Sequence, residues 1–76
     1  MDASVKQIMR EIEAYLERHP DASDTAAAIE RWWLIHPSNR PSALIAQALE
    51  ALVARGTVAM HHLPSGTSEY RRGRAA

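Results

Sequence analysis

The chain has 76 residues, nine Lys and Arg against nine Asp and Glu, and no cysteine. That length fits one domain with a single small core, burying only about 60% of the surface that the unfolded chain exposes. The absence of cysteine excludes disulfides, thiolate metal sites and cysteine nucleophiles, and zero formal charge argues against a strong general affinity for nucleic acid.

The charge is uneven along the chain. Residues 1–38 hold seven acids and four bases, and residues 39–76 hold two acids and five bases. The second half, with Arg40, Arg55, Arg71, Arg72 and Arg74, is therefore able to present a basic face. No apolar run approaches the roughly 20 residues that cross a bilayer. The charged N-terminal stretch has no signal-peptide block, which leads us to expect a cytoplasmic protein with no membrane contact.

In SVKQIMREIEAYLERHP, residues Val5, Ile8, Met9, Ile12, Tyr15 and Leu16 recur at spacings of three and four. This is one apolar stripe of a first helix, with Lys6, Arg10, Glu13 and Glu17 on the other side. Asp2 or Ser4 is placed to cap it, and Pro20 stops it. DASDTAAAIERWWLIHP reads as a second helix, with Ser23 or Asp24 as N-cap and Pro37 as terminator. Ala26, Ile29 and Trp33 align on it, whereas Trp32 points about 100° away.

SNRP is a short link, and SALIAQALEALVARG is a third helix with Leu44, Ile45, Ala48, Leu49, Leu52 and Val53 as its apolar stripe. Pro41 is acceptable in its first turn, and Gly56 sits where a C-terminal glycine belongs. TVAMHHL and TSEYRR flank Pro64-Ser65-Gly66 and read as a hairpin. Its first strand alternates Val58, Met60 and His62 against Ala59, His61 and Leu63, and Tyr70 is the large side chain of its second. We take residues 1–72 as one domain and 73–76 as a flexible tail.

Ala26, Ile29 and Trp33, then Ile45, Leu49, Leu52 and Gly56, then Val58 and the PSG tip form a pattern that resembles the winged helix-turn-helix superfamily. The resemblance covers roughly residues 5–72 and implies an α+β fold: three helices with a C-terminal β-hairpin wing. It also implies double-stranded DNA as partner, read by the third helix, and hence a small transcriptional regulator. On this reading Arg40, Arg71 and Arg72 hold phosphates, while Ser42 and Gln47 lie on the reading surface.

Two departures qualify the match. The LIHPSNRPS link is longer than a tight helix-turn-helix turn, and the outer side of the third helix offers Ser42, Ala43, Ala46, Gln47 and Glu50, of which Gln47 alone suits a base edge well.

The alternative is a protein-interaction adaptor on the same fold, with Trp32 as its anchor, since tryptophan is enriched at interface hot spots. Each candidate also has a plain structural explanation. The arginines suit a solvated surface with a charged strand edge, Trp33 suits the core, and Trp32 is able to cover the seam between helix and hairpin. His19, His36, His61 and His62 match no metal-ligand motif, and His61 and His62 alternate across a strand. There is no nucleophile motif and no glycine-rich phosphate loop. We therefore expect no enzyme, no cofactor and no metal.

Overall fold

The computed structural model describes residues 2–35 and 40–74. Helix α1 spans Ala3–Arg18. Asp2 caps it, accepting a hydrogen bond from the Ser4 N–H at 2.7 Å, and the chain leaves it at His19, ahead of Pro20. Val5, Ile8, Met9, Ile12 and Leu16 are buried along one side, as their spacing requires.

The segment expected to cap the second helix is instead a short strand, β1, Ser23–Thr25. It pairs antiparallel with the last strand of the chain, Ser23 opposite Arg71 and Thr25 opposite Glu69. The cap moves one residue on: Thr25 Oγ1 accepts from the Ala28 N–H at 3.2 Å. Ser and Asp favour caps and turns over strands, so residue preference pointed the wrong way, and the pairing comes from an edge that only the folded hairpin supplies.

Helix α2 begins as one turn over Ala26–Ala28 and widens into a π-helical turn over Ile29–Trp33. It ends at Trp33, with Leu34 already extended. It therefore stops before Pro37, the expected terminator, which lies with His36 outside the described residues.

Helix α3, Ser42–Arg55, starts directly after Pro41, whose carbonyl accepts from the Leu44 N–H at 3.0 Å. Its C-terminus is closed by Gly56 at φ 80°. The Gly56 N–H reaches Val53 O and the Thr57 N–H reaches Leu52 O, both at 3.0 Å, which together form a Schellman motif.

Strands β2 (Val58–His62) and β3 (Ser68–Arg72) form the hairpin, with β3 central in the three-stranded sheet. Its loop closes through Leu63 N–H to Thr67 O at 2.8 Å and Gly66 N–H to Leu63 O at 2.9 Å. The fold is thus α+β: three helices and an antiparallel sheet, with the hairpin following α3 directly.

Its core joins the α1 stripe to Ile29, Trp33 and Leu34, to Ile45, Ala48, Leu49 and Leu52 of α3, and to Val58. Among the described residues no helix is long and apolar enough to cross a membrane.

The folded unit extends past residue 72. The Gly73 N–H donates to Thr57 O at 2.8 Å, and a Cβ at Gly73 would lie 2.0 Å from Gly56 O. Both contacts are backbone and leave no room to yield. Gly73→Ala is expected to cost about 1–3 kcal/mol, read as a lower urea midpoint. A Cβ at Gly66 meets nothing within 4 Å, so Gly66→Ala is expected to cost only the strain of its φ of 90°, about 1–2 kcal/mol.

Candidate functional site

The two tryptophans divide between core and surface. Trp33 is 2% exposed, its ring stacked on Tyr15 with centroids 4.7 Å apart and planes 10° from parallel. Its Nε1–H donates to Asp24 Oδ2 at 2.8 Å, so Asp24, expected as a helix cap, serves instead as the acceptor that a buried indole requires. Tyr15 in turn lies against the His19 ring at 4.5 Å.

Trp32, one residue back, is 68% exposed. It does not close a seam with the hairpin. Ile35 is 67% exposed, although its own N–H is held by Glu11 Oε1 at 3.2 Å. Two large apolar side chains thus project on either side of the buried pair Trp33 and Leu34. Nothing in its spacing had singled out Ile35.

Glu11 lies beside the apolar stripe of α1 and is only 4% exposed. Arg40 meets it in a two-pronged pair, Nη1 to Oε1 at 2.8 Å and Nη2 to Oε2 at 2.7 Å. Gln7 Nε2 adds a bond to Oε2 at 3.1 Å.

The Arg40 bonds are the main reason the Glu11 carboxyl is held at about 2, below its usual 4.5. They overcome burial, which pushes the other way, and the Ile35 N–H and Gln7 add to them. The same pairing raises the Arg40 pKa. Arg40 was a candidate phosphate contact; its guanidinium is turned onto α1, where it ties the approach to α3 down to the first helix.

The other candidates do not gather around it. Arg71 lies opposite Ala59 and Ser23, and Arg72 opposite Val58, so these consecutive residues point to opposite faces of the sheet. Both sit at the open end of the hairpin, roughly 10 and 13 Å along the strand from Ser68, where the loop begins. The loop itself, 63–67, contains no Lys or Arg.

Beside it, His62 Nδ1 and Ser68 Oγ share a 2.8 Å hydrogen bond across a strand pair, while His61 faces the other side. Ser42 Oγ donates to Glu30 Oε2 at 3.4 Å and links α2 to α3. Gln47 is exposed on α3 in a surface otherwise made by Ala43, Ala46, Glu50 and Ala54.

Comparison with known proteins finds no family model that matches the chain and no curated protein similar to it.

Proposed function

We propose that this domain is a winged-helix module that docks a protein partner, with Trp32 and Ile35 as its anchors. The observation that carries the reading is the exposure of both side chains beside groups held by buried contacts: Trp33 by Asp24 and Tyr15, and the Ile35 N–H by Glu11. An apolar anchor on a fixed support loses little entropy on binding. Tryptophan is also among the side chains enriched at interface hot spots. The helix pair followed at once by a hairpin supports the winged-helix part of the reading.

Duplex DNA is the second reading, favoured by the exposed outer surface of α3 with Gln47 upon it. Against it stand Glu50 on that same surface, the pairing of Arg40 with Glu11, and the separation of Arg71 from Arg72 by the sheet. Phosphate contacts supply most of the general affinity for DNA, and these arginines do not form one patch.

Trp32→Ala is expected to change stability by less than about 0.5 kcal/mol, as for other surface substitutions. It is expected to weaken capture of the partner at least about tenfold, the effect of losing one hot-spot side chain. Quantitative affinity purification with the wild type and the variant, beside urea unfolding of both, measures the two effects. Titration of a labelled duplex at low and moderate salt is the opposing test. Salt-sensitive amide shifts confined to residues 42–54 and 61–72 would replace the protein partner with DNA.

A further inference from the structure

Lys6 and Arg10 are four residues apart on the exposed side of α1, and Glu13 follows one turn on. Packing of α1 against α3 brings Arg55, the last residue of α3, beside them. With Met9 these residues line an open cleft of about 390 Å³.

Among the described residues the one ion pair is Arg40 with Glu11, so Lys6, Arg10 and Arg55 meet no carboxylate at that distance. Arg10 Nη1 donates only to the neutral amide oxygen of Gln7, at 3.3 Å. Three cations and one acid leave the walls with a net charge of +2 in a chain whose total is zero. Like charges four apart on a helix are mildly repulsive, a cost that an anionic ligand removes.

We propose that this cleft binds an acidic peptide segment of a partner protein. The guanidinium groups of Arg10 and Arg55 are planar forks that match carboxylates edge to edge. Met9 supplies an apolar, adaptable lining on which a side chain between two acids packs.

Two features favour carboxylates over phosphates. Glu13 shares the cleft, and the α3 C-terminus, the negative end of its dipole, lies at its edge. Both tolerate single charges better than a dense dianion. The volume suits a few side chains, whereas a duplex presents a long row of phosphates. The cleft is on α1 and the end of α3, so the inference stands apart from the anchoring role of Trp32 and Ile35.

The test follows amide shifts of the full chain during titration with a blocked Asp-Glu-Leu-Glu-Asp peptide. The Asn-Gln-Leu-Gln-Asn peptide, inorganic tripolyphosphate and a short duplex serve as comparisons. The acidic peptide is expected to shift residues 6, 9, 10, 13 and 55 and to lose affinity as salt rises, while the amide peptide does neither.

Arg10→Glu with Arg55→Glu is expected to weaken binding at least about tenfold, and Glu13→Gln to strengthen it about two- to fivefold. These side chains are exposed or half-buried, and circular dichroism checks the fold. Arg10→Gln with Arg55→Gln replaces the reversal pair if that pair unfolds.

Absence of shifts in the cleft at low salt would overturn the proposal. So would unchanged affinity in the variants, or tripolyphosphate or the duplex binding these same residues as tightly as the peptide.

Discussion

Arg40→Met is expected to lower stability by about 2–3 kcal/mol at pH 7. Breaking a buried ion pair by removing one partner typically costs 3–5 kcal/mol, because the remaining charge stays buried without its counter-ion. The lower figure applies because the Arg40 side chain is 30% exposed, so water screens part of the interaction.

The pH dependence has a definite sign. Glu11 titrates lower in the folded chain, about 2 against 4.5, so its contribution is complete above pH 4.5 and disappears as pH falls toward 2. The difference between wild type and Arg40→Met is therefore largest at neutral pH and shrinks on acidification, since a protonated Glu11 has no charge left to pair. Urea unfolding at pH 7, 5 and 3 checks this, and an equal loss at all three would show that Arg40 acts through packing alone.

Glu11→Leu combined with Arg40→Met is expected to recover much of the loss, because two apolar groups leave no buried charge behind. The Ile35 N–H gives up its acceptor in that double variant, so recovery stops short of complete.

Trp33→Ala is expected to be the most damaging substitution. Removing a buried tryptophan costs about 3–5 kcal/mol through lost burial and the cavity left behind. A chain of this length has about 4–11 kcal/mol in total, so the variant should be largely unfolded at 37 °C. Loss of near-UV circular dichroism and a low urea midpoint would register it.

Trp33→Phe keeps an aromatic ring in the core but removes the N–H from which Asp24 accepts, and leaves a small cavity where the indole extended. The expected cost is about 1.5–3 kcal/mol, the range for a hydrogen bond to a charged group. Asp24→Asn should cost less, since an amide oxygen still accepts from the indole. If Trp33→Phe and Asp24→Asn were both silent, the Asp24 bond would have no part in holding α2 against β1.

Trp32 and Trp33 are adjacent and chemically identical, yet their substitutions are expected to differ by several kcal/mol. The sequence separates them through helical spacing alone: Trp33 aligns with Ile29 and Ala26, and Trp32 does not. Whether Trp32 met the hairpin or solvent depended on where the sheet lay, which no local spacing encodes.

β1 was missed for a related reason. A three-residue edge strand made of Ser, Asp and Thr has no apolar alternation, and it exists because β3 offers an unpaired edge. The Glu11–Arg40 pair spans 29 positions in sequence, and no helical spacing within α1 points to a partner that far along the chain.

From the sequence alone came the three helices, the Gly56 stop, the hairpin with its turn at Pro64-Ser65-Gly66, the alternation of Val58, Met60 and His62, and the burial of Trp33. Each rests on interactions within a few residues or on a periodicity that one face must bury. The tertiary structure alone decided that Ser23–Thr25 pairs with β3, that Arg40 closes on Glu11, and that Lys6, Arg10 and Arg55 converge. Those outcomes depend on strand register and helix packing. Strand pairing and helix packing bring together groups that lie most of a domain apart along the chain, beyond the reach of any local periodicity.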